Sequence, residues 1–311
     1  MIKRIFILLI VLSLRAFGEG HILMYHRIGD DRHPSTSVSV EAFKKQLKFL
    51  EENGYEVVEL SKIVEAVKND REVEDNWVAI TIDDAYRSFY ENGLPILVEK
   101  GYPFTVFVNT EAVERGYGDY MTWNMVVEAN KHGEIGGHSH THSSMPRIEN
   151  SQMKREISLN KKLLEEKLEE GMRYFAYPYG EYSVEVIKEV EDLGYEGAFK
   201  QVMGAVGTES EPYAMNRIPV GEKTNLKFFL SMKYLPVEWE RVDIVGDRVE
   251  GMKVALPVEV EKVEVFLSGY GWEWSPVEDG YIRVNKKLLR SRNNLIIRDS
   301  RNRYSDYLIL R

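Results

Sequence analysis

Asp83 and Asp84 stand side by side at the end of an apolar run, Val78-Ala79-Ile80-Thr81-Ile82. Two adjacent carboxylates at the end of a buried strand are costly unless a metal or a shared proton compensates them. Successive side chains on an extended chain point opposite ways, so one aspartate can bind a metal while the other stands beside it. The same pair also suits a helix N-cap with an acidic first turn, and alone it does not choose between the two readings. Gly136-Gly137-His138-Ser139-His140-Thr141-His142 supplies what it lacks. One helical turn brings His138 and His142 to the same side. A carboxylate from elsewhere completes three protein ligands and leaves a position for water, as catalytic zinc sites require. His140 falls on a different face of that turn, in an outer or exposed position. A histidine-rich stretch can also be a plain solvated loop, but the paired glycines before it point to close packing at a strand end. The chain has no cysteine, so disulfides, thiolate metal sites and a cysteine nucleophile are excluded.

These residues need a scaffold that brings distant segments together. The chain has 311 residues, of which 43% are hydrophobic, enough for a large core and more than one domain. Its formal net charge of -9 argues against a nucleic-acid partner, because a phosphate backbone would repel it. Lys3 and Arg4, the apolar run Ile5 to Leu14 and the small residues Ala16 and Gly18 have the layout of an export signal. The expected location is therefore periplasmic, extracellular or cell-surface; an uncleaved anchor or a buried first strand is the other reading. From residue 19 to about 220, short apolar runs alternate with amphipathic stretches, which predicts a mostly parallel sheet with helical crossovers. Seven or eight such units favour a distorted (β/α) barrel, with a doubly wound open sheet as the alternative. After Pro236 the helical periodicity fades. Short strands punctuated by Gly, Pro, Asn and Ser then predict a small all-β, sandwich-like module. The expected division is a signal segment over 1–18, a barrel over 19–235 and the β-module over 236–311.

With these residues in view, the chain resembles the polysaccharide deacetylases. Thr81-Ile82-Asp83-Asp84-Ala85 is similar to their first motif, usually Thr-Phe-Asp-Asp-Gly, and His138 to His142 to their second. Phe175-Ala176-Tyr177-Pro178-Tyr179-Gly180 resembles their third, which often reads Arg-Pro-Pro-Tyr-Gly. The resemblance covers roughly residues 20 to 220. It implies a distorted (β/α) barrel and removal of N-acetyl groups from an N-acetylglucosamine-containing polysaccharide. It also implies roles: Asp84, His138 and His142 as ligands of a divalent metal, Asp83 as general base, and the backbone N–H at Tyr179 as an oxyanion donor. Zinc is the default; cobalt, nickel and iron suit the same ligands.

Two departures shape further expectations. The family usually places a catalytic acid histidine late in the domain, and this chain has no histidine after His142. His26 ends the first strand, and in a closed barrel the first and last strands are neighbours. It can therefore supply the acid through a circularly permuted order, as in the poly-β-1,6-N-acetylglucosamine deacetylases; the plainer reading is a hydrogen-bonded structural histidine. The arginine of the third motif is Ala176 here. Arg217, which ends a later strand, can orient Asp83 instead, or form an ordinary surface ion pair. Tyr120, Trp123 and Tyr179 are candidates for stacking on sugars, Trp123 being equally suited to packing on its helix, and Asn109 is a candidate substrate contact. In the β-module, Tyr270, Trp272 and Trp274 alternate, so they are expected on one strand face, as a sugar platform or as sandwich core. The basic end (Arg283, Lys286, Lys287, Arg290, Arg292, Arg298, Arg301, Arg303) can meet an anionic wall polymer or be solvated surface. Nothing in the sequence argues for an oligomer. The rival functions are a non-catalytic carbohydrate-binding or cell-surface protein on the same fold, and a hydrolase of another acylated sugar or amide.

Overall fold

The computed structural model describes residues 18–311; all but the last residue of the expected signal segment lies outside the described residues. Strand β1 (Glu19–Tyr25) comes first, with a small parallel pair, β2 (Arg27–Ile28) and β3 (Ser37–Val38), beyond it. Then follow α1 (Val40–Glu52), β4 (Glu56–Val57), α2 (Leu60–Lys68), β5 (Trp77–Asp83), α3 (Leu94–Lys100), β6 (Thr105–Val108) and α4 (Thr110–Glu114). Next come α5 (Trp123–Asn130), β7 (Glu134–Gly137), α6 (Asn150–Leu168), β8 (Tyr174–Ala176), α7 (Val184–Asp192), β9 (Gly197–Phe199), β10 (Val206–Gly207) and β11 (Ile218–Pro219). Local chemistry sets many of these boundaries. Ser39, Thr122 and Ser183 cap α1, α5 and α7 by accepting a backbone N–H of the first turn. Gly101 ends α3 at φ +64°, where other residues are strained.

The main sheet runs in the order β1-β5-β6-β7-β8-β9 with parallel pairing; β1 also pairs with β11 in parallel and, at its start, with β10 antiparallel. Its seam is closed by one irregular segment. Met215 exchanges backbone hydrogen bonds with β9, donating to Ala198 O at 3.1 Å and accepting from Lys200 N at 3.0 Å. A few residues on, β11 pairs with β1. The barrel is thus closed but distorted, and the first strand lies beside the last. Alternate strand residues sort into two sets. Leu23, Ile80, Ile82, Val106 and Phe175 belong to the cluster shared with the outer helices. Ile22, Ala79, Phe107, Tyr174, Phe199 and Met215 form the interior set, where Leu60, Ile63, Val64 and Val67 of α2 join them and plug one end.

Beyond the barrel, β12 (Lys233–Tyr234), β13 (Glu238–Val245), β14 (Arg248–Ala255) and β15 (Lys262–Leu267) begin a second, all-β unit. β16 (Trp272–Pro276), β17 (Tyr281–Lys287), β18 (Arg292–Arg298) and β19 (Arg303–Leu310) complete it. A five-stranded sheet, β12-β19-β18-β15-β16, faces a three-stranded one, β13-β14-β17. Val249, Met252 and Ile282 from the smaller sheet meet Val263, Leu295 and Ile297 from the larger, which makes the expected sandwich. The outer face of the larger sheet docks on the barrel: Ile296, Tyr304, Phe266 and Trp272 pack with Val202, Met203, Phe229 and Met232.

Docking separates the three alternating aromatics, and the expectation of one shared face fails at Tyr270. That residue lies in the turn before β16, beside Gly269 at φ +95°, and packs against the sandwich interior. Trp272 lies at the junction with the barrel, and only Trp274 is largely exposed, under the Lys262 ammonium. The basic end is mostly neutralised within the molecule. Lys286 pairs with Glu273, Lys287 with Asp247, Arg298 with Glu264, Arg301 with Glu259, and Arg303 with Asp299 and Glu259.

His21 of β1 is buried and donates its Nε2–H to Met232 O at 3.0 Å. Burial disfavours its cation and lowers its pKa to about 4 from 6.5. The unfolded chain protonates first as pH falls, so this stabilisation is complete above about pH 6.5 and is lost down to about pH 4. Its size is on the order of 3 kcal/mol. Urea midpoints measured across this range should fall less steeply for His21→Gln than for the wild type. Identical slopes would show that His21 titrates alike in both states.

Candidate active site

Strand β5 ends in Asp83, and the chain then turns through Asp84 (φ +73°) and Ala85 (φ +54°). This turn sends the two carboxylates apart. Asp84 meets the histidines: its Oδ1 lies 3.5 Å from His138 Nε2 and 3.2 Å from His142 Nε2. The helical turn expected over residues 138–142 is absent. Ser139 and His142 adopt φ +59° and +60°, and the His142 N–H is held by Ser139 Oγ at 3.0 Å. The loop is bent because its backbone is fastened elsewhere. Helix α6 presents Met153, Glu156, Ile157, Asn160 and Leu164 inward. Fully buried Asn160 donates to Val108 O at 2.8 Å and to Ser139 O at 2.7 Å. Glu156 accepts from the Thr141 N–H at 2.7 Å. The paired glycines permit the approach: a Cβ on Gly136 would lie 2.6 Å from the Phe107 ring, and one on Gly137 2.6 Å from Asn160 Oδ1.

Asp84, His138 and His142 could hold a metal ion, their ligand atoms all lying within 4.8 Å of one another. Their hydrogen bonding fits one. His138 donates Nδ1–H to Ala176 O at 2.7 Å, which leaves Nε2 as a lone pair turned toward Asp84. Burial, against the pull of Asp83, lowers the His138 pKa to about 4 and keeps the ring neutral. Asp84 Oδ1 is buried and accepts no hydrogen bond. A carboxylate oxygen and an imidazole lone pair facing each other without a donor suit a cation.

Asp83 faces a different partner. Arg217, fully buried, grips it through two bonds, Nη1 to Oδ1 at 2.6 Å and Nη2 to Oδ2 at 2.7 Å. Arg217 Nε donates to Lys200 O at 3.2 Å, and Nη1 also reaches Thr81 Oγ1 at 3.3 Å. Arg217 is therefore not a surface ion pair. Burial pushes the Asp83 carboxyl up, but Arg217 and then His138 outweigh it and bring the pKa to about 2. Asp83 is thus an ionised carboxylate beside the Asp84–histidine cluster.

A cavity of about 470 Å³ opens above both aspartates. His26, Asn109, Tyr120, His140 and Tyr179 all line it, so these candidates converge. His26 follows β1, half-buried. Tyr179, at φ +60°, sets its ring against His142 with centroids 4.5 Å apart. His140 is bound through Nδ1 to Thr110 Oγ1 at 2.9 Å. Trp123 is not among the lining residues; it packs on the core beside Lys167, the packing role set against its sugar-stacking one. Tyr86, Tyr117 and Gln201 also line the cavity and were missed by sequence reasoning. The Tyr86 ring is tilted against that of Tyr120, with centroids 4.9 Å apart, and the Arg27 guanidinium lies 3.5 Å from its centre. Its place directly after the Asp83-Asp84-Ala85 turn was the available signal.

Residues 70–198 match the family model described as polysaccharide deacetylase. YxkH of Bacillus subtilis (strain 168) is 28% identical over 200 residues, which cover 64% of this chain and 70% of that protein. The poly-beta-1,6-N-acetyl-D-glucosamine N-deacetylase of Escherichia coli (strain K12) is 26% identical over 253 residues, covering 67% of this chain but 37% of that enzyme. Among solved structures, the Streptococcus pyogenes deacetylase PplD aligns with TM-score 0.61 at 22% identity, over 66% of this chain and 93% of that one. IcaB from Ammonifex degensii aligns with TM-score 0.60 at 22% identity, over 65% and 92%. These structural likenesses establish the barrel fold.

Proposed function

We propose, since residues 70–198 match the polysaccharide deacetylase family model, that the protein is an exported, metal-dependent hydrolase that removes N-acetyl groups from an N-acetylglucosamine-containing polysaccharide. One observation carries the reading: an ionised, arginine-clamped Asp83 beside the Asp84–His138–His142 cluster, both under one open cavity. Asp84, His138 and His142 would hold the cation, zinc by default, with cobalt, nickel or iron as substitutes. A bound divalent cation supplies positive charge that acidifies water and polarises an acetyl carbonyl.

The chain's own groups do the rest. Asp83 takes the proton of the attacking water, and Arg217 keeps it ionised and aimed. The backbone N–H of Tyr179 donates to the developing oxyanion. His26 gives the departing amine its proton; an amide nitrogen cannot leave without one. The tyrosine-lined wall gives flat rings on which sugar faces can stack. The signal-like layout of residues 1–18 supports export. In this reading the barrel ahead of β12 is catalytic, and the strands from β12 (Lys233–Tyr234) onward, which start three residues before the expected boundary at 235/236, form an accessory module.

Acetate release from β-1,4- and β-1,6-linked N-acetylglucosamine oligomers tests the function. Release should stop on chelation and return with zinc or cobalt, and the preferred linkage identifies the polymer. Oligomer binding without release would identify a carbohydrate-binding protein. Metal binding with neither would point to another acylated sugar or amide. The acid is tested separately. His26→Gln should slow amide hydrolysis by about a hundredfold. It should leave 4-nitrophenyl acetate hydrolysis nearly unchanged, because that leaving group departs as a stable anion. Equal slowing of both would give His26 a structural role.

A further inference from the structure

The barrel and the β-module share an ion pair that stability does not explain. Lys200, just after β9, and Asp306, on β19, lie 2.7 Å apart and are 7% and 9% exposed. Desolvating two charges offsets most of their attraction, so a buried pair of this kind adds little stability over apolar residues. It does fix geometry, because the charges must meet at one place. The Lys200 carbonyl is the one that Arg217 Nε uses, and Arg217 in turn aims Asp83. The next residue is held from the module too: Arg292 of β18 donates to Gln201 O at 3.4 Å. Gln201 lines the cavity, and Gly180, beside Tyr179, lies so close that a Cβ there would be 2.4 Å from Gln201 N.

We propose that the β-module positions the catalytic base, with Asp306 and Arg292 as positioning residues that act through the Lys200–Gln201 segment on Arg217. Neither touches the cavity. The module serves as a brace on the segment that orients Asp83 and backs the Tyr179 loop. The catalytic part of this inference rests on the deacetylase reading.

The test uses the full chain with Asp306→Ala, Arg292→Met and the conservative Asp306→Asn, whose amide oxygen can still accept from Lys200. In oligomer deacetylation, Asp306→Ala and Arg292→Met should lower kcat by about tenfold, as expected when a reacting group shifts by a fraction of an ångström. KM should stay within about twofold and zinc stoichiometry should not change. Asp306→Asn should keep most of the wild-type rate. In the metal-free proteins, hydrogen exchange should rise in peptides spanning residues 197–204 and 214–220 and stay unchanged in β1. Unchanged kcat, or faster exchange confined to residues 233–311, would overturn the proposal. If Asp306→Ala does not fold, Arg292→Met decides alone. If the wild type releases no acetate, the deacetylase reading fails, and the exchange data still decide whether the module braces the segment.

Discussion

Asp83→Asn should bind zinc as tightly as the wild type and release acetate about a thousandfold more slowly. The two outcomes separate because the two aspartates face different ways: Asp84 meets the histidines, whereas Asp83 meets Arg217. Asparagine keeps the shape and one acceptor oxygen but cannot take a proton. It also leaves a fully buried guanidinium underpaired, which costs about 3–5 kcal/mol. Assays should therefore run well below the melting temperature of the variant. Calorimetric titration with zinc beside the acetate assay checks both halves. Undiminished acetate release would make Asp83 a structural partner of Arg217 and place the base elsewhere.

Arg217→Ala should destabilise the protein by about 3–5 kcal/mol, because it strands a buried carboxylate. In the wild type, Asp83 has a pKa of about 2 against 3.8 in the unfolded chain, so its pairing stabilises fully above pH 3.8 and is lost as pH falls through about 2. Without the guanidinium, burial dominates and raises the pKa above 3.8. The folded variant then holds a proton that the unfolded chain releases, so its stability falls as pH rises past 3.8. The same shift moves the acid limb of the kcat profile to higher pH. Arg217→Lys should recover only part of either loss, since one ammonium cannot match both carboxylate oxygens. Urea titrations at pH 5 and 7, with kcat followed across pH, check this. Equal midpoints and limbs would remove Arg217 from the mechanism.

What the sequence disclosed divides along physical lines. Strand β5 and the pair after it were legible because a run such as Val78 to Ile82 has few other fates, and motif chemistry is local. Arg217 was legible as a candidate partner of Asp83, but its full burial and its place just before β11, rather than at the end of a strand, were not. The bend at Ser139 and His142 was hidden, because neither is a glycine and four-residue spacing reads as a helix. It is imposed by Asn160 and Glu156, which lie on α6. The placement of Trp272 and the Lys200–Asp306 pair were hidden for the same reason. Both depend on how one sheet docks on the barrel, and docking leaves no periodicity in either segment.

Five residues around the cavity, Asp84, Ala85, Ser139, His142 and Tyr179, hold a left-handed backbone without being glycine. Each such conformation costs about 1 kcal/mol or more relative to an ordinary one. The strain is concentrated at one rim of the barrel, while the strands beneath are buried and regular. On warming, the rim should therefore relax first. Such an enzyme would lose turnover at a temperature where its far-ultraviolet circular dichroism still reads native, and would recover on cooling without refolding.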